Sequence, residues 1–310
     1  MIKKEKMAML TLDSVKKILK LFIPPIVIKS ALALKDLFQK PLLEYAPDGW
    51  KTRLNNDQNQ GWNVDSVINT EKAKWDAFCQ NLEGTGPLGF SHEYSDLTVI
   101  HDTNFHNVHI SYAYVLALTA HHKDRISVLD WGGSLGHYYL IGKAVLPDVS
   151  IDYHVKEVPL MAEAGRRFNP DVNWYNDERC LEREYDLVML NGSILYLKDW
   201  VETLQRIAGS AKKYLFLFRL PVVQNSPTFI SIERLYHSQM LHQQVNQAEL
   251  LAAVKETGLV LVREFVVGEP PYIKNAPEQC EMRGWLLKRR EHGQIIPQRH
   301  GDTKKHKEPL

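Results

Sequence analysis

The sequence lacks the residues on which disulfide-rich, zinc-binding and membrane-spanning proteins depend. Its three cysteines, Cys79, Cys180 and Cys280, are widely separated and form no Cys-x-x-Cys pair. That usage excludes a disulfide framework and a zinc ribbon, and it favours a reducing, cytoplasmic compartment. No apolar run reaches the ~20 residues of a transmembrane helix. The net charge of +1 gives no bulk attraction to nucleic acid, so we expect no nucleic-acid partner.

The first forty residues differ in pattern from the rest. Apolar residues recur at helical spacing over residues 12–22 and again over 26–38, with Pro24-Pro25 between the two runs. The two predicted helices either pack on the core or lie on an anionic membrane surface. In the second case residues 10–40 would make a peripheral contact at the inner face of the membrane. We expect residues 1–110 to form a mainly helical and loop extension that includes a substrate lid.

A group of histidines precedes the regular part of the chain. His101, His106 and His109 lie near Asp102, but their spacing does not put a metal-binding pair on one face of a helix. We therefore predict no metal site and interpret these residues as loop or pocket histidines.

The most informative block is residues 128–137, which read VLDWGGSLGH. It predicts a buried strand over 126–129, an acid at the carboxyl end of that strand and a glycine-rich turn into a helix. A dinucleotide site needs glycine at relative positions one, three and six, yet counting from Gly132 gives Ser134 and His137 at the last two. A P-loop is also excluded, because no Gly-Lys-Ser/Thr follows. The acid before the first glycine is similar to the pattern of S-adenosylmethionine-dependent methyltransferases, and the alternative is a glycine-rich turn without a ligand.

A second acid follows at the spacing of a ribose-binding residue. The predicted strand 150–155 is followed by Glu157, which lies 21 residues after Gly136. A carboxylate about 20 residues beyond the turn is the expected partner of ribose hydroxyls, because it can accept both of their protons. The alternative is a helix-capping acid before Val158-Pro159, since proline suits the first helical turn.

From Ser111 onward, predicted strands and helices alternate. The strands are predicted at 172–175, 185–190, 213–218, 259–267 and 283–288, and the helices at 111–119, 199–208 and 247–257. One further helix is predicted before this part of the chain, at 70–82. Such alternation predicts a doubly wound α/β fold with a parallel sheet over residues 111–290. The last two strands have no helix between them, so one of them must run antiparallel. We predict a disordered, solvated tail over 291–310.

Several blocks resemble a family of bacterial S-adenosylmethionine-dependent methyltransferases associated with surface-polysaccharide biosynthesis, over most of residues 15–290. Besides the glycine block, they are Phe22-Ile23-Pro24-Pro25, Gly61-Trp62-Asn63-Val64-Asp65, Val155-Lys156-Glu157-Val158-Pro159, residues 185–197 and Arg219-Leu220-Pro221. The family usually carries a further glycine where Ser134 stands. The resemblance implies a class I, Rossmann-like methyltransferase domain. Its mostly parallel, seven-stranded sheet would contain one antiparallel strand.

The resemblance also implies the cofactor, S-adenosyl-L-methionine, and the residues that would hold it. These residues are Asp130, Gly132, Gly133, Ser134, Gly136, Glu157, Val158, Asp177, Asn191, Gly192 and Ser193. The glycine block would surround the methionine and ribose parts, and Glu157 would take the ribose hydroxyls. Val158 and Asp177 would meet the adenine, and residues 191–193 would face the methyl group.

The implied reaction is O-methylation of a glycan, a glycan precursor or another small molecule. A hydroxyl acceptor needs a general base, for which the candidates are His137, His101, His106, His109 and Asp102. The start of a helix would lower the pKa of His137 and keep it neutral. Arg219 would pair with an anionic acceptor. The alternatives are a packing role for His137 and a structural role for Arg219. Neither the general base nor the oligomeric state follows from the sequence.

A catalytically silent binding or scaffold protein of the same fold is the competing interpretation. Ser134 and the lack of a base fixed by a motif favour it.

Overall fold

The computed structural model describes residues 41–54, 59–86, 88 and 102–290. The predicted helices within 12–38, the predicted membrane contact of residues 10–40 and the predicted tail 291–310 lie outside the described residues. The chain divides into two compact units, residues 1–42 and 43–310, and every element below belongs to the second. Among the described residues, no helix is both long enough and apolar enough to cross a bilayer.

Six helices and twelve strands lie within the described residues. The helices are α1 (Asp65–Glu83), α2 (Thr103–Ala120), α3 (His137–Val145), α4 (Pro159–Phe168), α5 (Trp200–Gly209) and α6 (Gln247–Glu256). The strands are β1 (Leu43–Tyr45), β2 (Asn59–Gln60), β3 (Arg125–Trp131), β4 (Ser150–Lys156), β5 (Asn173–Tyr175), β6 (Tyr185–Asn191), β7 (Ala211–Val223), β8 (Phe229–Leu235), β9 (Ser238–Asn246), β10 (Leu259–Gly268), β11 (Ile273–Lys274) and β12 (Glu281–Arg289). Short 3-10 helices occupy Gly49–Lys51, Glu178–Glu182 and Ser193–Tyr196.

Seven strands form the main sheet, in the order β5-β4-β3-β6-β7-β12-β10. Strands β3 to β7 run parallel, and β12 lies antiparallel to both of its neighbours. The predicted fold class, a mostly parallel seven-stranded sheet with one antiparallel strand and flanking helices, is therefore confirmed. The chain leaves β3 towards β4 on one side, whereas β6 lies on the other. The carboxyl ends of β3 and β6 thus frame the switch point, where ligands of such sheets bind.

The apolar sequence of the central strands explains their position. Strand β6 is buried over its first six residues, as expected of a parallel strand covered on both faces. Helices α2 and α3 pack on one face of the sheet, and α5 and α6 pack on the other. These two apolar layers fix the strand ends from which the loops of the candidate site leave.

Helix α2 begins earlier than predicted, at Thr103 instead of Ser111. The Asp102 carboxylate caps it by accepting two backbone N–H groups of the first turn, at 2.8 and 3.3 Å. This is the expected role of aspartate at an N-cap, and it engages one of the candidate bases. The predicted boundary at residue 110 falls inside this helix.

Five strands outside the main sheet form a second structure, which we call the annex: β1, β2, β8, β9 and β11. Strands β8 and β9 form an antiparallel hairpin, flanked by β1 and β2. The annex joins the main sheet where Val222 and Val223, at the end of β7, pair with β9. None of these strands was predicted. Two of them, β1 and β2, lie before residue 110, where a mainly helical and loop extension was predicted.

Strand β7 is the continuous link between the two structures. It was predicted to end at Phe218, but it runs to Val223 through a bulge, in which Phe218 and Arg219 lie opposite Gly284 of β12. Arg219 adopts a left-handed conformation, with φ of 52°. A bulge of this kind bends the strand and increases its twist, which carries the end of β7 out to the annex.

Candidate functional site

The glycine turn after β3 is built from left-handed residues. Gly132, Ser134 and Gly136 have φ of 82°, 52° and 84°. A Cβ on Gly132 would overlap the side chain of Ser193, and a Cβ on Gly136 would lie 2.8 Å from the Asn169 amide nitrogen. Both glycines are therefore required by the chain itself, whether or not a ligand approaches them.

Asp130 lies wholly buried beneath this turn. The Tyr153 hydroxyl donates to its Oδ2 at 2.9 Å, and a Cβ on Gly133 would lie 2.5 Å from that same oxygen. Its Oδ1 accepts no hydrogen bond from the described residues. Burial raises the pKa of Asp130 to about 7, the hydrogen bond from Tyr153 opposes this rise, and nearby Glu157 adds to it. The site thus holds a buried acid with one uncompensated oxygen.

Glu157 folds back onto the glycine turn. Its Oε1 accepts the backbone N–H of Ser134 at 2.9 Å, and its Oε2 accepts that of Val158 at 2.7 Å. Burial raises the pKa of this carboxyl, and the two N–H groups oppose the rise. Since each carboxylate oxygen has two lone pairs, both oxygens retain a position for a hydroxyl group. The predicted ribose acid and the alternative, an acid at the start of α4, are therefore compatible.

The end of β6 meets the glycine turn. Asn191 donates its amide to the Tyr138 hydroxyl at 2.6 Å, while its buried Oδ1 accepts no hydrogen bond from the described residues. Gly192 is left-handed, and the Ser193 hydroxyl donates to the Trp131 carbonyl. The carboxyl ends of β3 and β6 are therefore joined. Each end carries one buried oxygen, Asp130 Oδ1 and Asn191 Oδ1, that accepts no hydrogen bond from the described residues.

Asp177 is placed differently from the other predicted cofactor residues. It is half-buried, and its carboxylate accepts the backbone N–H and the Nε of Arg179, at 3.1 and 2.9 Å. These bonds cap a 3-10 helix and hold the pKa of Asp177 below its usual value. Nothing else in the described residues distinguishes this side chain.

His137 opens α3, as predicted, but its ring is wholly buried. Trp75 and Phe78 of α1 pack against it at centroid distances of 5.2 and 4.7 Å. Its Nε2 lies 3.8 Å from Oε2 of Glu71, which also accepts the Ser134 hydroxyl at 3.3 Å. This enclosure favours the packing role over the general base.

The contribution of α1 to the site was missed by the sequence analysis, which began that helix at Thr70. Glu71 and Lys74 are 3% and 2% exposed and lie on the same face as Trp75. The available signal was the presence of charged residues on a helical face that is otherwise apolar. Charged side chains are almost never fully buried unless they are paired, so such positions indicate a partner.

Arg219 and the predicted loop histidine His109 contact different parts of the structure. The Arg219 guanidinium lies 5.4 Å from the ring centroid of Phe105 in α2. His109 is buried, and its Nδ1 contacts the Leu88 carbonyl. His101 lies outside the described residues. Within the described ranges, no three His, Cys, Asp or Glu side chains converge as metal ligands would.

The annex supplies an aromatic wall beside the end of β6. Trp62 packs edge-on against Tyr196 and Tyr236, at centroid distances of 5.1 and 5.9 Å. The Tyr196 hydroxyl donates to Glu233 of β8 at 2.6 Å. None of these residues was predicted as part of a site, although Trp62 and Tyr196 lie in blocks that carried the family resemblance.

No protein-family model matches the chain, and no curated protein matches its sequence. Among solved structures, magnesium protoporphyrin IX methyltransferase from Synechocystis PCC 6803, with bound SAM, is 12% identical at a TM-score of 0.43, covering 74% of this chain and 100% of that chain. The 1,6-didemethyltoxoflavin N1-methyltransferase of Burkholderia thailandensis is 14% identical at a TM-score of 0.41, covering 59% and 78%. Mitomycin 7-O-methyltransferase is 14% identical at 0.39, covering 74% and 70%.

At TM-scores below 0.5 and identities of 12–14%, these similarities assign no function to this chain. The strand order described above, with its single antiparallel strand, agrees with the predicted doubly wound α/β fold.

Proposed function

We propose that this chain binds S-adenosyl-L-methionine where β3 and β6 end, and transfers the methyl group to a hydroxyl of a glycan or glycan precursor. The observation that carries the cofactor part is the pair of unmatched acceptors, Asp130 Oδ1 and Asn191 Oδ1, beside a left-handed glycine turn. Unmatched buried acceptors are costly, at about 1–3 kcal/mol each, so native sites keep them for a donor. The ammonium group of an amino acid is such a donor.

The residues present fit this cofactor. A cation above the glycine turn would feel the Asp130 carboxylate from below, where little water screens the attraction. Glu157 has lone pairs left for two hydroxyl groups, and its Oε1 is already held against the turn by Ser134. Asn191 and the residues after it would contact the methionine part.

When bound, the cofactor supplies an electrophilic methyl group, and the chain must align an acceptor with it. Alignment accounts for much of the rate of a displacement reaction. His137 and Arg219 were predicted as catalytic residues, and we retain Arg219 as a candidate contact for an anionic acceptor. We assign His137 the role of fixing the start of α3 against α1, because Trp75 and Phe78 enclose its ring.

The glycan acceptor is proposed from the family resemblance. A cytoplasmic location, at the inner face of the membrane if residues 10–40 bind there, would suit an acceptor that is a lipid-linked glycan precursor.

Isothermal titration of the full chain with S-adenosylhomocysteine tests the cofactor part. We expect saturable binding that Asp130→Asn weakens. Asp186→Asn is the matched control, because Asp186 is also a largely buried carboxylate but lies at the opposite end of β6, paired with Lys123 at 2.6 Å. Absence of binding to the unaltered chain would remove the proposal.

A second function, a silent binding protein of this fold, is favoured by one observation. The only histidine at the glycine turn has no exposed edge from which to take a proton. Incubation with methyl-labelled cofactor and fractionated cell extract separates the two functions. Label in a glycan fraction supports the enzyme, whereas cofactor binding without labelling of any fraction supports the silent protein.

A further inference from the structure

We propose that Trp62, Tyr196 and Glu233 form an acceptor subsite that binds the hydroxylated edge of a neutral ring such as a pyranose. The inference deepens the proposed function and rests on it, but its chemistry is argued from these side chains alone.

The position of Trp62 is fixed from two sides. Gly61 donates its N–H to the Gln239 carbonyl at 2.8 Å, which ties the segment to β9. On the other side, the Asn63 side-chain oxygen accepts the Leu160 N–H at 2.9 Å. Leu160 lies three residues beyond Glu157, so the segment crosses the carboxyl edge of the sheet from the annex to the start of α4. Trp62 is thereby held over the region where an acceptor must enter.

Tyr196 and Glu233 connect this wall to the end of β6. Tyr196 closes the 3-10 helix that begins at Ser193, immediately after Asn191 and Gly192. Its hydroxyl donates to Glu233, so the Glu233 carboxylate is held at the wall. All three residues of the subsite are half-buried, so part of each remains accessible to solvent.

The indole N–H of Trp62 is the feature that calls for a ligand. Its Nε1 is buried and has no hydrogen-bond partner among the described residues. Indole nitrogen is only a donor, so its match must be an acceptor such as a hydroxyl oxygen. A donor and a carboxylate acceptor beside aromatic rings suit a ring with apolar C–H faces and hydroxyl groups at its edge.

The charges at the wall select a ligand that is neutral where it meets these side chains. Glu233 repels an anion placed against the wall. A cation is disfavoured as well, because the buried Lys74 ammonium already lies 5.3 Å from the ring centroid of Tyr236.

Saturation-transfer NMR of the full chain, with S-adenosylhomocysteine present, tests the subsite. The probes are the methyl pyranosides of glucose, galactose and mannose, with methylcyclohexane carrying no hydroxyl as the negative probe. The variants are Trp62→Phe, which keeps the ring but removes the N–H, and Glu233→Gln. The matched control is Trp50→Phe, because Trp50 is also half-buried but lies in a different element, the 3-10 helix Gly49–Lys51.

We expect transfer to the ring protons of at least one pyranoside, with Trp62→Phe weakening its Kd about threefold to tenfold. Trp50→Phe should bind like the unaltered chain, and cofactor-analogue affinity should be the same in all variants. A pyranoside Kd unaffected by Trp62→Phe and Glu233→Gln would overturn the subsite. So would binding of the analogue without transfer to any pyranoside, which leaves the cofactor proposal standing. No binding of the analogue at all would instead count against the proposed function.

Discussion

The two sides of the candidate site are built in opposite ways. The glycine-turn side comes from short stretches at the ends of neighbouring strands, and its residues hold one another by backbone contacts: Ser193 against Gly132, and Glu157 on the Ser134 N–H. The annex side joins side chains from distant parts of the chain, such as Trp62 and Glu233, through an aromatic contact and one hydrogen bond. Because of this difference, we expect substitutions on the first side to change cofactor binding, and substitutions on the second side to change acceptor binding.

The largest effect is expected on the glycine-turn side, for Gly132→Ala. The new Cβ would overlap Ser193, and alanine at φ of 82° is strained. We expect a loss of about 2–5 kcal/mol in the free energy of unfolding, from backbone strain and overpacking together. Binding of S-adenosylhomocysteine should be lost. Urea denaturation and isothermal titration measure the two effects.

Gly209→Ala is the matched control for this substitution. Gly209 ends α5, and no atom outside its immediate neighbours lies within 4 Å of its ideal Cβ. Alanine there should be neutral or stabilise by about 0.4–1 kcal/mol. Equal losses in both variants would show that the turn is not the constrained element described here.

The same contrast explains what the sequence could predict. The glycine turn imposes local chemical demands, so Gly132, Gly136 and Glu157 were predicted from spacing, and the alternation of strands and helices predicted the parallel sheet. Glu157 was placed against the turn because a carboxylate at that spacing is a known feature of such sites. The antiparallel strand followed from the missing helix before β12, whereas the strand order was not predicted.

The annex escaped prediction for identifiable physical reasons. A two-residue hairpin with both residues left-handed normally shows Asn-Gly or Asp-Gly, but here the turn is Tyr236-His237. Pro221 argued against a strand continuing past Arg219, since proline is rare inside sheets. Side chains that meet only through tertiary packing, such as Glu71 at Ser134, leave no pattern at a fixed spacing.

Asp130→Asn should give the next largest effect, and it depends on pH. Burial raises the folded-state pKa of Asp130 from 3.8 to about 7, so the folded chain keeps a proton that the unfolded chain releases. The stability contributed by this group is present below pH 4 and is lost as the pH rises towards 7. Asparagine cannot ionise, so the stability of the variant relative to the unaltered chain should rise by about 2–4 kcal/mol between pH 4 and pH 8.

Cofactor binding should show the opposite trend at this residue. A cation favours ionised Asp130, so affinity for S-adenosylmethionine should increase between pH 6 and pH 8 in the unaltered chain and stay level in Asp130→Asn. Titration in buffers of different ionisation enthalpy should detect the released proton. A pH-independent affinity in both proteins would show that Asp130 does not serve the cofactor.

Gln243→Leu should produce a smaller effect, confined to the annex side. Gln243 is 2% exposed, and its amide donates to the Ile194 and Leu197 carbonyls at 3.3 and 3.0 Å. Leucine keeps the volume but removes the donor to both carbonyls. The Ile194 carbonyl still accepts the Leu197 N–H at 3.2 Å, so the cost of about 1–3 kcal/mol comes mainly from the Leu197 carbonyl. Pyranoside binding should weaken because Tyr196 lies between those carbonyls, while binding of S-adenosylhomocysteine should change little.

Gln224→Leu provides the control for that variant, because its exposed amide bonds only to Gln247 among the described residues, at 2.7 Å. We expect a change within about 0.5 kcal/mol. If Gln243→Leu weakens the cofactor analogue as strongly as the pyranoside, the two sides of the site are not separable.

Glu278→Gln should have the smallest effect, and its pH dependence has the sign opposite to that of Asp130. The Glu278 carboxylate accepts the backbone N–H groups of Gln224, Asn225 and Ser226 at 2.9, 2.9 and 2.6 Å, which lowers its pKa from 4.5 to about 2. The stability that this group contributes is therefore present above pH 4.5 and is lost as the pH falls towards 2. Solvent screens the site, so we expect a difference below about 1 kcal/mol at neutral pH. Urea denaturation of Glu278→Gln should show this difference vanishing between pH 4.5 and pH 2, whereas the Asp130→Asn difference develops only above pH 4. Because the two windows barely overlap, one pH series on both variants separates the loop after β7, which Glu278 holds, from the glycine turn, and coincident windows would contradict the assignment of either acid.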